Sequence, residues 1–196
     1  LTPNRKAVKL SWADAGPVAT DEYWDHYRHD SGTSVTWTWH EAPRQHVQAD
    51  VLARLIAPGR FPKRVTILYR PVPAGPASRL LEREVNAADF REAYRSAQGR
   101  DQSAREQADR ARAQQAAVEE ALGAGVCLMS LFVTATVASE QFLGDATADV
   151  EARADGAKVR LRRMYASQAA GFATTLPCGV HPTAIRQGKK KMWGAA

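Results

Sequence analysis

One shape is used twice along this chain, and that repetition limits what it can fold into. From Ser34 to Arg70 a strand-like run leads into a short amphipathic helix and then into a second strand-like run; the same order returns from Val126 to Arg163. Between the copies lies an Ala- and charge-rich stretch, residues 76–123, with helical periodicity and no strand signal. Two β-helix-β runs around a helical excursion predict an α+β domain. The expected form is a ferredoxin-like split βαβ sandwich of about four strands, with helices on one face and a long helical hairpin inserted as an arm. The expected organisation is a polar, aromatic-bearing extension over 1–33, the domain over 34–180 with its arm at 76–123, and a flexible tail over 181–196.

In Ser34-Val35-Thr36-Trp37-Thr38-Trp39-His40 the apolar residues Val35, Trp37 and Trp39 share one face and Thr36, Thr38 and His40 the other. Pro43 ends this strand. A helix is expected from His46 to Ala57, with Val47, Val51, Leu55 and Ile56 on one side and Pro58-Gly59 as its stop. Lys63 to Arg70 reads as a strand closed by Pro71 and Pro73. Val126 to Val137 is the most apolar segment and reads as a central strand, with Cys127 as a small core residue. Ser139 is the expected N-cap of a helix whose Phe142, Ala146, Val150 and Ala154 share one face. Lys158 to Arg163 is a short cationic strand, and a last helical turn is expected between Tyr165 and Phe172. The expected core is Val65, Ile67, Leu128, Leu131, Val133, Val150, Val159 and Leu161.

In the excursion, Pro76 suits a first helical turn. Ala87, Phe90, Tyr94 and Ala97 lie at steps of three and four, and Gly99 is the expected break. Ala104, Ala108, Ala111, Val118 and Leu122 form a second seam. The expectation is that these two seams face each other in a close antiparallel pair. A single bent helix is the competing arrangement.

No sequence pattern for catalysis accompanies this frame. Gly188-Lys189 is followed by Lys190, and Thr183 stands where a P-loop needs its first Gly. Gly123-Ala124-Gly125 precedes a strand, whereas a dinucleotide fingerprint follows one. His26 and His29 match no common zinc spacing. The chain therefore reads as a non-enzyme, with no catalytic residue, cofactor or metal expected. The two cysteines, Cys127 and Cys178, make no disulfide framework. No apolar run approaches the roughly 18 residues a membrane span needs. With Leu1 first and no signal peptide, the chain is expected to be an excised or processed fragment.

The net charge of +6 and a pI near 9.6 favour acidic partners. Part of the excess is the tail run Lys189-Lys190-Lys191, and most of the rest is spread along the chain. Two candidate interaction sites emerge: the Phe90/Tyr94 stripe of the arm, suited to a partner helix, and the cationic strand of Arg160, Arg162 and Arg163 beside Tyr165. The latter could contact nucleic acid, provided that it gathers with Lys63 and Arg64 on an open sheet face. A charge-protected edge strand is the plainer reading.

The run Val126 to Val137, then Asp149-Val150-Glu151, then Val159 to Arg163, then Gln168 to Phe172 and Leu176-Pro177-Cys178-Gly179, resembles the N-terminal, non-motor region of the CagE/TrbE/VirB family of type IV secretion and conjugation ATPases. The Ala42-Pro43-Arg44 turn and Arg64 to Pro71 also resemble an actinobacterial family of membrane-associated proteins of conjugative elements. The chain departs from the motor proteins in lacking Walker motifs, so ATP hydrolysis does not carry over. The resemblance implies a non-catalytic scaffold component of a conjugation or type IV-like secretion apparatus. It would be cytoplasmic, membrane-associated within a larger complex, and would dock other subunits, a motor ATPase among them. A nucleic-acid-binding module, an accessory subunit of a type VII-like system, and a homo-oligomer stay open as alternatives.

Overall fold

In the computed structural model of the protein the described residues are 17–30, 32–41, 48, 50–97 and 104–180, with Arg105 described in its backbone alone. The expected helix start at His46, the Ala42-Pro43-Arg44 turn, the Gly99 break and the tail 181–196 lie outside them. The chain divides into two compact units, residues 1–67 with 131–196, and residues 68–130.

A mixed α+β architecture is present. Six strands form one sheet: β1 (Thr20–Glu22), β2 (Tyr27–His29), β3 (Gly32–Glu41), β4 (Lys63–Val72), β5 (Val126–Val137) and β6 (Arg160–Arg163). Their order is β1-β2-β3-β5-β4, and β6 also pairs with β3. β5 occupies one edge of β3 along Thr33 to Thr38. The other edge is shared in succession, by β2 opposite Gly32 to Ser34 and by β6 opposite Trp37 to Glu41. The Thr136 N–H donates to the Pro62 carbonyl at 3.0 Å, so the start of β4 lies beside the end of β5. The two β-helix-β runs therefore interleave: β5 lies between β3 and β4, and β3 lies between β5 and β6. Part of the stretch read as a polar extension supplies β1 and β2.

Strand periodicity divides the residues of the first unit between two faces. One face carries Val35 and Trp37 of β3 and Leu131, Val133, Ala135 and Val137 of β5, all buried. Against it pack Leu55 of α1 (Ala53–Ile56) and Ala146, Val150 and Ala154 of α4 (Leu143–Gly156). Burying one Val or Leu side chain is worth about 1.5–3 kcal/mol, so this cluster is the main source of the unit's stability. Of the expected core, Leu131, Val133, Val150 and Val159 are buried within it, and Val65, Ile67 and Leu161 pack against its rim. Leu128 is half-buried and outside the cluster. Cys127 is exposed, because the first half of β5 alternates exposed and half-buried residues. Ile56 is also exposed, since α1 is a single turn that buries only Leu55.

Helices are not confined to one face, contrary to expectation. α5 (Gln168–Thr174) packs on the opposite, hydroxyl-bearing face. Two boundaries also differ. β4 runs on through Pro71 to Val72, which an edge strand tolerates because the missing N–H faces no partner. The Ser139 side chain makes no cap bond; a 3₁₀ turn over Glu140–Phe142 precedes α4 and leaves Phe142 exposed.

The second unit contains α2 (Ala74–Ala97) and α3 (Ala104–Ala121) packed as an antiparallel pair. The pairing sense is set by Ser78 with Glu120, Asp89 and Glu92 with Arg110, and Arg95 with Glu106. The seam differs from the expected one. Ala77, Leu81 and Ala88 are the buried residues of α2, and Ala113, Ala116 and Ala117 are half-buried on α3. Phe90, Tyr94, Val118 and Leu122 lie outside it, exposed. Helix axes approach closest over alanines, and bulky side chains at those positions would hold them apart.

Candidate functional site

Phe90 and Tyr94 stand one turn apart on α2, 71% and 59% exposed, with their rings stacked at 6.4 Å. Asp89, Arg91, Glu92 and Arg95 flank them along the helix, and the hairpin closes without them. Two exposed aromatics one turn apart form the apolar stripe a partner helix would cover. Tyr94 also stands beside Arg95, whose guanidinium is committed to Glu106 at 3.0 Å. The arm thus offers an apolar contact whose adjacent cation is already paired.

The three cations of β6 serve different ends. Arg163 is a clamp. Its guanidinium reaches Glu151 of α4 at 3.3 Å and Asp25 at 3.6 Å, and lies 5.8 Å from the rings of both Trp37 and Tyr165. The Trp37 indole N–H donates to the same Glu151 oxygen at 3.2 Å. Arg160 and Arg162 are exposed. Arg162 lies opposite Thr38 and Arg163 opposite Trp37, so the two point to opposite faces. Lys63 and Arg64 belong to β4, separated from β6 by β3 and β5. They also point apart: Lys63 Nζ donates to the Ala57 carbonyl, while Arg64 approaches Thr175 behind the other face. The five cations are not gathered on one open face.

The hydroxyl face holds a cluster that the sequence reading did not single out. Thr36 and Thr134 are directly opposed, as are Ser34 and Thr136. Their hydroxyls meet at 2.7 and 2.8 Å. Such short cross-strand contacts belong to pairs whose backbone groups point away from each other. The backbone of Thr36 therefore faces the other edge of β3, at the gap between β2 and β6. Gln168 fills that gap. Its Oε1 accepts from the Thr36 N–H at 2.8 Å and its Nε2 donates to the Thr36 carbonyl at 3.4 Å, so the side-chain amide takes the place of a strand peptide. Met164 N–H donates to the same carbonyl at 2.9 Å. Gln168 is fully buried, and an amide there is affordable only because both its ends are bonded. The available signal was hydroxyl residues at period two, at 34 and 36 on an alternating strand and at 134 and 136 on the most apolar one.

Arg64 and His29 border this network. The His29 ring nitrogen Nε2 lies 2.9 Å from Ser34 Oγ, and the ring packs 4.8 Å from Phe172 and 5.9 Å from Tyr27. Arg64 donates through Nε to Thr175 Oγ1 at 3.4 Å and stacks its guanidinium 4.8 Å over Phe172. Burial, then the positive charge of Arg64, push the His29 pKa down, and Asp30 partly opposes them. Burial lowers the Arg64 pKa as well. Burial, then Arg153, lower that of Lys63, against Asp149. His26 is elsewhere, paired with Asp25 at 2.8 Å and stacked on Tyr23. Among the described residues no group of three His, Cys, Asp or Glu side chains could hold a metal ion. Nor is any helix of the described residues long and apolar enough to cross a membrane.

Comparison with models of known protein families gives no match, and comparison with curated proteins gives none either.

Proposed function

We propose that the chain is a non-catalytic assembly component of a conjugation or type IV-like secretion apparatus, acting by docking other subunits through its helical arm. The observation that carries this reading is the stacked, exposed Phe90/Tyr94 pair on a hairpin that closes without it. An aromatic stripe left outside the seam of a charged hairpin suits the anchor of a helix-in-groove contact. The interleaved strand order β6-β3-β5-β4 supports reading the first unit as the ferredoxin-like split βαβ sandwich that the family resemblance implies. In this reading the partner is a motor ATPase of the apparatus, and membrane association comes from that partner. The nucleic-acid alternative draws less support, because Arg163 is held by two carboxylates and α5 lies over the face that would carry Arg64.

The test is affinity capture from the native host with three baits: the chain itself, a Phe90→Ser/Tyr94→Ser variant, and a chain lacking residues 77–122. Recovery of a membrane-associated motor ATPase by the first bait and its loss with the other two is the expected outcome. Recovery of nucleic acid alone, undiminished without the arm and abolished by Arg160→Glu/Arg162→Glu, would replace this reading with the alternative.

A further inference from the structure

The geometry points to an oxyanion-binding site on the hydroxyl face of the first unit, in which Arg64 and His29 hold a phosphate or carboxylate group against the Phe172 ring. The inference is independent of the arm and of the docking it is proposed to perform. It begins with an imbalance of charge. Arg163 meets two carboxylates, but Arg64 meets none among the described residues. Its Nη2 is buried and has no hydrogen-bond partner. A guanidinium withdrawn from water without a counter-charge is costly, and buried charges are ordinarily paired.

The orientation of Arg64 is nonetheless determined. The Pro62–Thr136 bond ties the start of β4 to the end of β5, two residues before Arg64. The Nε–H reaches Thr175 Oγ1, which itself bonds Thr134 Oγ1 at 2.8 Å, and the guanidinium carbon lies over the Phe172 ring, 4.8 Å from its centroid. One side of the fork is used for anchoring and the other is left over. An oriented fork with a free N–H edge is the group that pairs best with phosphate or carboxylate oxygens.

His29 supplies a second group, a ring that its lowered pKa keeps mostly neutral at pH 7 and that would gain charge with an anion beside it. It approaches the same Phe172 ring, 4.8 Å away, and the positive charge of Arg64 adds to burial in lowering its pKa. A guanidinium and a protonatable ring meeting one Phe172 side chain, with Asp30 as an opposing charge near His29, form an arrangement that an anion would stabilise. Asp30 is directed elsewhere: its two carboxylate oxygens accept from the backbone N–H groups of Val18 and Ala19 at 2.6 and 2.7 Å. His29 and Phe172 also meet uncharged groups, Tyr27 on β2 and Ser34 on β3. His29, Arg64, Tyr27 and Phe172 are all half-buried, so the edge of the cluster is open to solvent.

The experiment is ¹H–¹⁵N NMR of the full chain at pH 7, following the His29 ring and the Arg64 Nε–H. Sodium phosphate, sodium acetate and sodium chloride are titrated separately at matched ionic strength. The expected result is a saturable shift of both groups with phosphate or acetate, with a dissociation constant on the order of 1 mM, and none with chloride. The His29 titration midpoint should rise when the anion is bound. Saturation by phosphate alone identifies a phosphate site, and saturation by acetate alone a carboxylate site. Arg64→Gln should weaken binding about tenfold or more, as expected for loss of a charged hydrogen bond. Should that variant unfold, His29→Asn, which keeps a hydrogen-bonding group beside Ser34, supplies the second comparison. The proposal is overturned by the absence of a saturable response beyond chloride, or by an unchanged response in a folded Arg64→Gln.

Discussion

Gln168 shows how a single side chain can complete a sheet. β2 leaves the edge of β3 after Ser34 and β6 joins it at Trp37, which strands the backbone of Thr36 in the interior. The carboxamide has the donor and acceptor of a peptide group and serves in its place. Gln168→Ala leaves a buried N–H without a partner and should cost about 1–3 kcal/mol in urea unfolding. Gln168→Glu keeps the shape but loses the donor and buries a charge, so it should cost more than the alanine change at neutral pH. Gly171 is tied to the same spot. A Cβ there would come within 2.6 Å of Thr36 Cγ2 and 2.7 Å of Met164 Sδ. Gly171→Ala should push α5 off the hydroxyl face and destabilise by about 1–3 kcal/mol, read by the same unfolding curves. Gly32 is constrained differently, with φ +148° and no room for a Cβ beside the Val137 carbonyl.

At the scale of elements, the hairpin selects small residues for its seam and leaves its aromatics outside. The seam carries Ala77 and Ala88 on α2 and the flanking ion pairs of Arg110 and Arg95. Two expectations follow, both separable by circular dichroism during urea unfolding. Ala88→Leu overpacks the contact and should destabilise by about 1–3 kcal/mol. Phe90→Ser/Tyr94→Ser removes only exposed rings and should change stability by less than about 1 kcal/mol in total, while abolishing partner capture. The paired helices themselves were legible from two Ala-rich periodic stretches. Their rotation was not, because 3.6-residue periodicity allows neighbouring stripes, and the assumption that the largest apolar residues face inward chose the wrong one. In β3 the same assumption succeeded, since period two leaves only two faces and Val35 and Trp37 decide between them; in β5 the expected core joined Leu128 to Leu131 and Val133, which period two puts on opposite faces.

For the molecule as a whole, the balance of charge on the hydroxyl face makes stability depend on pH. The folded pKa of His29 lies below its ordinary value of 6.5, so between the two the unfolded chain binds more protons. Stability should therefore be complete above about pH 6.5, fall as pH drops through the window down to the folded pKa, and level off below it. His29→Asn should flatten that part of the curve, measured as urea midpoints across pH 5 to 8. Lys63 acts in the same sense in alkali, because its lowered pKa makes stability rise with pH up to its ordinary value of 10.5. Both effects arise from burial beside other cations, Arg64 for His29 and Arg153 for Lys63.

The amino-acid sequence alone determined most of the elements: the strands β3 to β6, where the long helices run, and which face of β3 is apolar. These follow from short-range periodicity, which any window of ten residues displays. Tertiary structure decided the rest. It interleaved the two β-helix-β runs, recruited β1 and β2 from a stretch with no strand pattern, laid α5 on the hydroxyl face, turned Phe90 and Tyr94 outward, and separated Arg163 from Arg64. Each of those outcomes depends on groups far apart in the chain, such as Thr36 with Gln168 or Arg163 with Asp25. Local pattern carries no information about which distant backbone group lacks a partner or which charge is already paired, and those two quantities define the candidate sites.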